Sequence, residues 1–282
     1  MAGPYHVAMT DTRARFTRCL FVSLCVCATA QAAEPVVLDA SRDYLVGASL
    51  VSSVGHVGQT EPRLSLRPLW AFQLGRFRLA TSRASSLLSV GRNTVDPGLS
   101  TVLATTNGWR FTTSLRYDEG RKSGTDPLLA GLPDVRNTLR GRASANLDLG
   151  PRWSGSVSGS QDLLGRGGGF FLNTGLNYRY PVSEQTYWDL GLGAVWGTDL
   201  YRQTHYGISP EAALATGRPA YRLGGGWERV SLGWNMTSAL NRHWVVFGGL
   251  NLSQLQGSVA LSPLVGRKTV YGATLGLAYR NH

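Results

Sequence analysis

The chain has 282 residues, 43% hydrophobic but only 16% charged, with 35 Gly, 8 Trp and 11 Tyr. Soluble domains carry about 25% charged residues, so this balance argues against an ordinary soluble domain, and the apolar content excludes disorder. The net charge of +11 would suit a nucleic-acid partner, but the basic residues alternate with apolar ones instead of clustering, so no nucleic acid is expected.

The N-terminus reads as a signal peptide over residues 1–32. Arg13, Arg15 and Arg18 form a charged region, Cys19 to Ala30 an apolar run, and Ala30-Gln31-Ala32 a cleavage site. The segment before Arg13 is long for a signal, which leaves Met1 or Met9 as the start. Three Arg against Asp11 give the leader +2, so the mature chain carries +9. All three cysteines (Cys19, Cys25, Cys27) lie in the leader. The mature chain is expected to have no disulfide, thiolate nucleophile or thiolate metal site. No later run is apolar enough for a membrane-spanning helix.

Beyond the leader the chain keeps a two-residue rhythm. In 63–73, Leu64, Leu66, Pro68, Trp70 and Phe72 oppose Arg63, Ser65, Arg67, Ala71 and Gln73, with Leu69 an exception. In 109–117, Trp109, Phe111, Thr113, Leu115 and Tyr117 oppose Arg110, Thr112, Ser114 and Arg116. The same alternation runs through 170–180, 188–197 and 229–237. Apolar residues facing out, polar or small residues facing in and aromatics at run ends are the pattern of a transmembrane strand. Twelve strands are predicted, near 43–52, 62–73, 76–82, 86–91, 109–118, 136–148, 152–162, 169–180, 186–198, 227–238, 242–255 and 268–280. Tight turns fit Leu74-Gly75, Gly150-Pro151, Pro181-Val182-Ser183 and Leu240-Asn241. Long loops fit 53–61, 119–135, 199–226 and 256–267. The segment 92–108 breaks the alternation of short and long connections. The expected fold is all-β, an antiparallel transmembrane β-barrel of about 12 strands spanning 33–282, held in outer-membrane lipid.

The longest loop carries Tyr206-Gly207-Ile208-Ser209-Pro210, then Gly217 and Tyr221. Ser209 suits a helix cap, Pro210 the first helical position and Gly217 the stop. This run, with Ser262-Pro263-Leu264-Val265 and the final strand Tyr271 to Tyr279, resembles the signature of the MltA-interacting protein (MipA/OmpV) family. Leu261 stands where that family usually has Asp. The resemblance implies a Gram-negative outer-membrane protein. In some members it also implies a non-enzymatic scaffold that joins a lytic murein transglycosylase to a penicillin-binding protein.

The histidines offer no catalytic constellation. His56 and His205 fall in loops, and His243 in a strand, facing inward near a short turn. No nucleophile elbow or metalloprotease pair accompanies them. Gly165 to Gly169 precedes a strand, not a helix, so it reads as a flexible loop instead of a phosphate cradle. No enzyme activity and no cofactor are expected. The inward register does collect arginines: Arg63, Arg67, Arg110, Arg116, Arg140, Arg142, Arg152, Arg179 and Arg229. The clearest inward carboxylates are Asp148 and Asp189. A lumen so lined suggests, as the alternative function, a passive, weakly anion-selective channel.

Overall fold

The structure, a computed structural model, describes residues 43–54, 62–81, 84–88 and 97–281. The signal peptide, its cysteines, His56 and His282 lie outside the described residues. The twelve strands are β1 (Tyr44–Ser53), β2 (Arg63–Leu74), β3 (Phe77–Ala80), β4 (Gly98–Thr106), β5 (Trp109–Asp118), β6 (Thr138–Asp148), β7 (Trp153–Asp162), β8 (Phe170–Pro181), β9 (Thr186–Gly197), β10 (Gly226–Ala239), β11 (Trp244–Leu255) and β12 (Thr269–Arg280). Each pairs antiparallel with its sequence neighbours. β1 also pairs with β12, from Leu45 opposite Arg280 to Ser52 opposite Ala273, which closes the barrel. Closure pairs most of the strand backbone internally, as hydrocarbon requires; the short β3 is the weak point, since it pairs only Ala71–Leu74 of β2 and Gly98–Thr101 of β4 among the described residues.

The rhythm places side chains as expected. Leu64, Leu66, Phe72, Leu115, Leu192 and Leu275 are exposed on the outer face. Such a belt is a liability in water and a requirement in lipid. At one end short turns link the strands, and outward aromatics gather there. Trp153 and Tyr178 lie 4.9 Å apart, Tyr180 and Trp188 5.3 Å, and Trp244 and Tyr279 5.4 Å. This is a girdle at the depth where Trp and Tyr meet headgroups. The long connections gather at the opposite end.

One stretch departs from the alternation. Residues 84–88 form a helix, α1 (Ala84–Leu88), where the sequence pattern predicts a strand over 86–91. The fourth strand is instead Gly98–Thr106, inside the segment that breaks the pattern of connections. Ala84, Leu87 and Leu88 are spaced for one helix face, and the run lacks β-branched residues. Strand β4 is hidden because a bulge between Val102 and Ala104 shifts its alternation by one residue. Its turn, Asn107-Gly108, has both φ positive, at 46° and 78°, the geometry of a two-residue hairpin.

Helix α1 lies inside the barrel. Its Ala84, Leu87 and Leu88 are buried in one cluster with Leu45, Leu69, Ala71, Ala80, Val245, Phe247 and Ala278. The exception in β2, Leu69, is therefore an inward residue that has an apolar partner. Of the lumen wall, β11, β12, β1 and β2 are apolar near the turn end, while β5 to β10 are polar.

Candidate functional site

At the loop end the connections after β5, β9 and β11 pack against one another. Helix α2 (Asp199–Tyr206) starts at Thr198, whose hydroxyl accepts from the Tyr201 amide, and it buries Tyr201, Arg202 and Tyr206. Helix α3 (Pro210–Thr216) has the expected punctuation. The Ser209 hydroxyl accepts from the Ala212 amide at 3.2 Å, Pro210 opens the first turn and Gly217 closes it at φ 68°. The remaining signature residues tie this unit down. Ile208 and Tyr221 exchange backbone hydrogen bonds at 2.9 Å. The Tyr221 hydroxyl donates to the Ser258 carbonyl at 2.7 Å. Ser262 donates to the Tyr206 carbonyl at 2.6 Å and accepts from the Leu264 amide at 3.1 Å, with Pro263 between them. Gly207 is required by space, since a Cβ there would lie 2.6 Å from the Gln203 carbonyl oxygen. Leu129, Leu132, Ile208, Ala212 and Leu264 form the apolar centre of this cap.

Beneath the cap sits a carboxylate that alternation does not reveal. A register shift between Trp227 and Arg229 marks a bulge at Glu228, and Glu228 is fully buried. Its Oε1 accepts from the Tyr206 hydroxyl at 2.9 Å and from Arg229 Nη1 at 2.8 Å. Burial, and then the charge of Glu228, push the Tyr206 hydroxyl well above its ordinary pKa, so it stays a neutral donor. Adjacent Glu228-Arg229 in an alternating strand is the available signal for the bulge.

Of the predicted arginines, Arg110, Arg116, Arg140, Arg142 and Arg179 line lumen voids, and three of the predicted set are matched by acids. Arg229 pairs with Glu228. Arg179 holds Asp189 through Nε at 2.7 Å and Nη2 at 3.1 Å. Arg140 donates to Asp118 at 2.6 Å and to the carbonyls of Gly168 and Gly169 at 2.8 and 3.2 Å. Asp162 accepts from the amides of Leu164, Arg166 and Gly168. The glycine run is thus tied down where its composition predicts a flexible loop, with the Arg166 and Gly168 N–H groups spent on the chain's own carboxylate. Arg142 donates to Ser158 at 2.7 Å and, with Arg116, Arg140 and Ser114, lines a void of about 150 Å³. Arg63 and Arg67 lie on the inner register of β2, and Arg67 reaches Ser65 at 3.3 Å. Arg152 sits in the turn before β7, its guanidinium 5.4 Å over the Tyr180 ring.

A larger cavity of about 310 Å³ opens in the turn-end half of the lumen, lined by Arg110, Asp148, Arg179, Asp189, Asn177 and Asn235 among others, with Leu87 of α1 on its apolar side. His243 does not face it. The residue belongs to the turn before β11, and its ring stacks 5.4 Å from the outward Tyr279. Alternation points it inward, but the turn, where Asn241 Oδ1 accepts from the His243 and Trp244 amides, overrides strand parity. His205 lies in α2, 4.7 Å from the Tyr201 ring.

A closed twelve-stranded barrel with an apolar outer belt, an aromatic girdle, short turns at one end and long loops at the other is an outer-membrane β-barrel protein. The family model for the MltA-interacting protein MipA matches residues 46–281. The chain belongs to that family. Among curated proteins no sequence match is found. Solved structures with a similar backbone include an outer membrane channel from Pseudomonas putida F1, at 13% identity and TM-score 0.41, covering 88% of this chain and 99% of that one. An anion-selective porin from Comamonas acidovorans matches at 10% identity and TM-score 0.40, covering 85% and 98%. The outer membrane channel DcaP of Acinetobacter baumannii matches at 9% identity and TM-score 0.39, covering 85% and 96%. Similarity at this level does not bear on function.

Proposed function

We propose that this barrel is a non-enzymatic scaffold that holds murein-remodelling enzymes at the outer membrane, with a lytic murein transglycosylase as its first partner and a penicillin-binding protein as the second. The family description, MltA-interacting protein, supports the partner class. The observation that carries the reading is how the signature residues are spent. Tyr206, Gly207, Ser209, Gly217, Tyr221 and Ser262 cap, stop and tie loops over the lumen, so the chain invests in a packed mouth more than in a wide passage. The described histidines outside the cavity, His205 and His243, are engaged in ring contacts instead of facing a nucleophile. Affinity capture on the detergent-solubilised, tagged barrel from envelope extracts tests this. A murein transglycosylase should be enriched over a control barrel of similar size, and its absence would reject the scaffold.

A second reading is a weakly anion-selective channel. The inward arginines favour it, because guanidiniums along a lumen attract anions. Reversal potential in a salt gradient across a planar bilayer decides it: anion preference supports the channel, while cation preference or no conductance rejects it.

A further inference from the structure

The turn-end cavity plays no part in a scaffold, yet it has the composition of a ligand site. Its volume of about 310 Å³ lies at the lower bound for small-molecule pockets. Three of its charged side chains are already committed. Arg179 is held by Asp189 through both forks and lies 4.0 Å over the Tyr187 ring. Arg152 donates to the Tyr178 hydroxyl at 3.2 Å. Arg110 and Asp148 differ, because neither side chain has a hydrogen bond or ion pair among the described residues. Arg110 stands opposite Asn146 on β6, and Asp148 is two residues further along the same face. Diagonal neighbours of this kind sit roughly 7–8 Å apart. A single ligand can therefore place an anionic group on Arg110 and a hydroxyl donor on Asp148. The opposite wall, Leu87 and Phe247, is apolar.

We propose that this cavity binds a small hydroxylated carboxylate, a sugar acid, with its carboxylate on Arg110, a hydroxyl on Asp148 and the C–H face of its ring against Leu87 and Phe247. A planar carboxylate matches the guanidinium fork. An ionised Asp only accepts hydrogen bonds, so it selects hydroxyl donors. An apolar wall distinguishes a ring with a C–H face from a bare inorganic anion. The proposal is independent of the scaffold reading, since it needs no protein partner.

Titration calorimetry of the detergent-solubilised barrel with glucuronate is the test. Saturable binding is expected, weakened tenfold or more in Arg110→Gln, with glucose, which lacks the carboxylate, also tenfold weaker or worse. The unboiled gel mobility of the variant shows whether its barrel is closed. Should Arg110→Gln fail that check, Arg110→Lys is measured, and its loss of the planar fork should still weaken glucuronate binding. The assignment is overturned by absence of saturable heat, by unchanged affinity in the folded variant, or by glucose or acetate binding as tightly as glucuronate.

Discussion

The two ends of this lumen are built on opposite plans. At the loop end, segments distant in the chain are bound to one another. Arg121 donates to the His205 carbonyl at 2.6 Å, Arg202 to Ser258 at 2.8 Å and Ser262 to the Tyr206 carbonyl at 2.6 Å. At the turn end the connections are local, and the interior is divided between an apolar cluster around α1 and a polar cavity beside it. The lesson is where each kind of residue is spent. The residues that carry the family likeness stabilise one end, and the residues with chemistry left over, Arg110 and Asp148, sit at the other.

The comparison can be broken from either side. The largest effect is expected at Glu228. Glu228→Ala leaves the half-buried Arg229 and the buried Tyr206 hydroxyl without their acceptor, and a buried donor left unsatisfied costs about 1–3 kcal/mol. Protease cleavage within 198–225 of the folded, detergent-held barrel should rise sharply, whereas Glu228→Gln, which keeps an acceptor for Tyr206, should be cut more slowly. Equal resistance of Glu228→Ala and the parent would show that the cap does not depend on this carboxylate. At the turn end, Leu88→Ala should loosen α1 by about 2 kcal/mol or more. A cysteine at Ala84→Cys would then react faster with a membrane-impermeant thiol reagent while the boiled-to-unboiled gel shift persists. No change in labelling rate would mean that α1 is held by something other than this cluster. The smallest effect concerns Asp134, an exposed loop-end carboxylate. The backbone amide and then the hydroxyl of Ser123 hold its pKa below the ordinary value. A depressed carboxylate contributes stability that is complete above its unfolded pKa and lost as pH falls through the folded one. Amide exchange at Ser123 should therefore quicken only below about pH 4, and Asp134→Asn should remove that pH dependence.

The barrel is largely legible in the sequence because lipid outside and polar groups inside impose one rule on every strand. Where the rule bends, the pattern misleads for physical reasons. The bulge at Leu103 shifts the parity of β4, although Asn107-Gly108, the hairpin turn that ends it, stands in plain view. Leu69 looks like noise until α1 supplies its partner. Ser209, Pro210 and Gly217 are legible because helix punctuation is local. Glu228 is not, since its role depends on Tyr206, which reaches it across a long loop. Inward orientation of the arginines follows from parity alone. Their partners do not, because Asp118 lies at a strand end and Glu228 in a bulge, where strand parity does not fix the side chain's direction.

The pairing of β1 with β12 has a consequence for biogenesis. Leu45 faces Arg280, so one wall of the cylinder joins segments from nearly opposite ends of the described chain. Neighbouring strands can zip as hairpins, but this seam must wait until the last of them has arrived, and contacts of such long sequence separation form slowly. Until that moment both flanking strands expose unpaired backbone, so the seam is the last part of the cylinder to be protected.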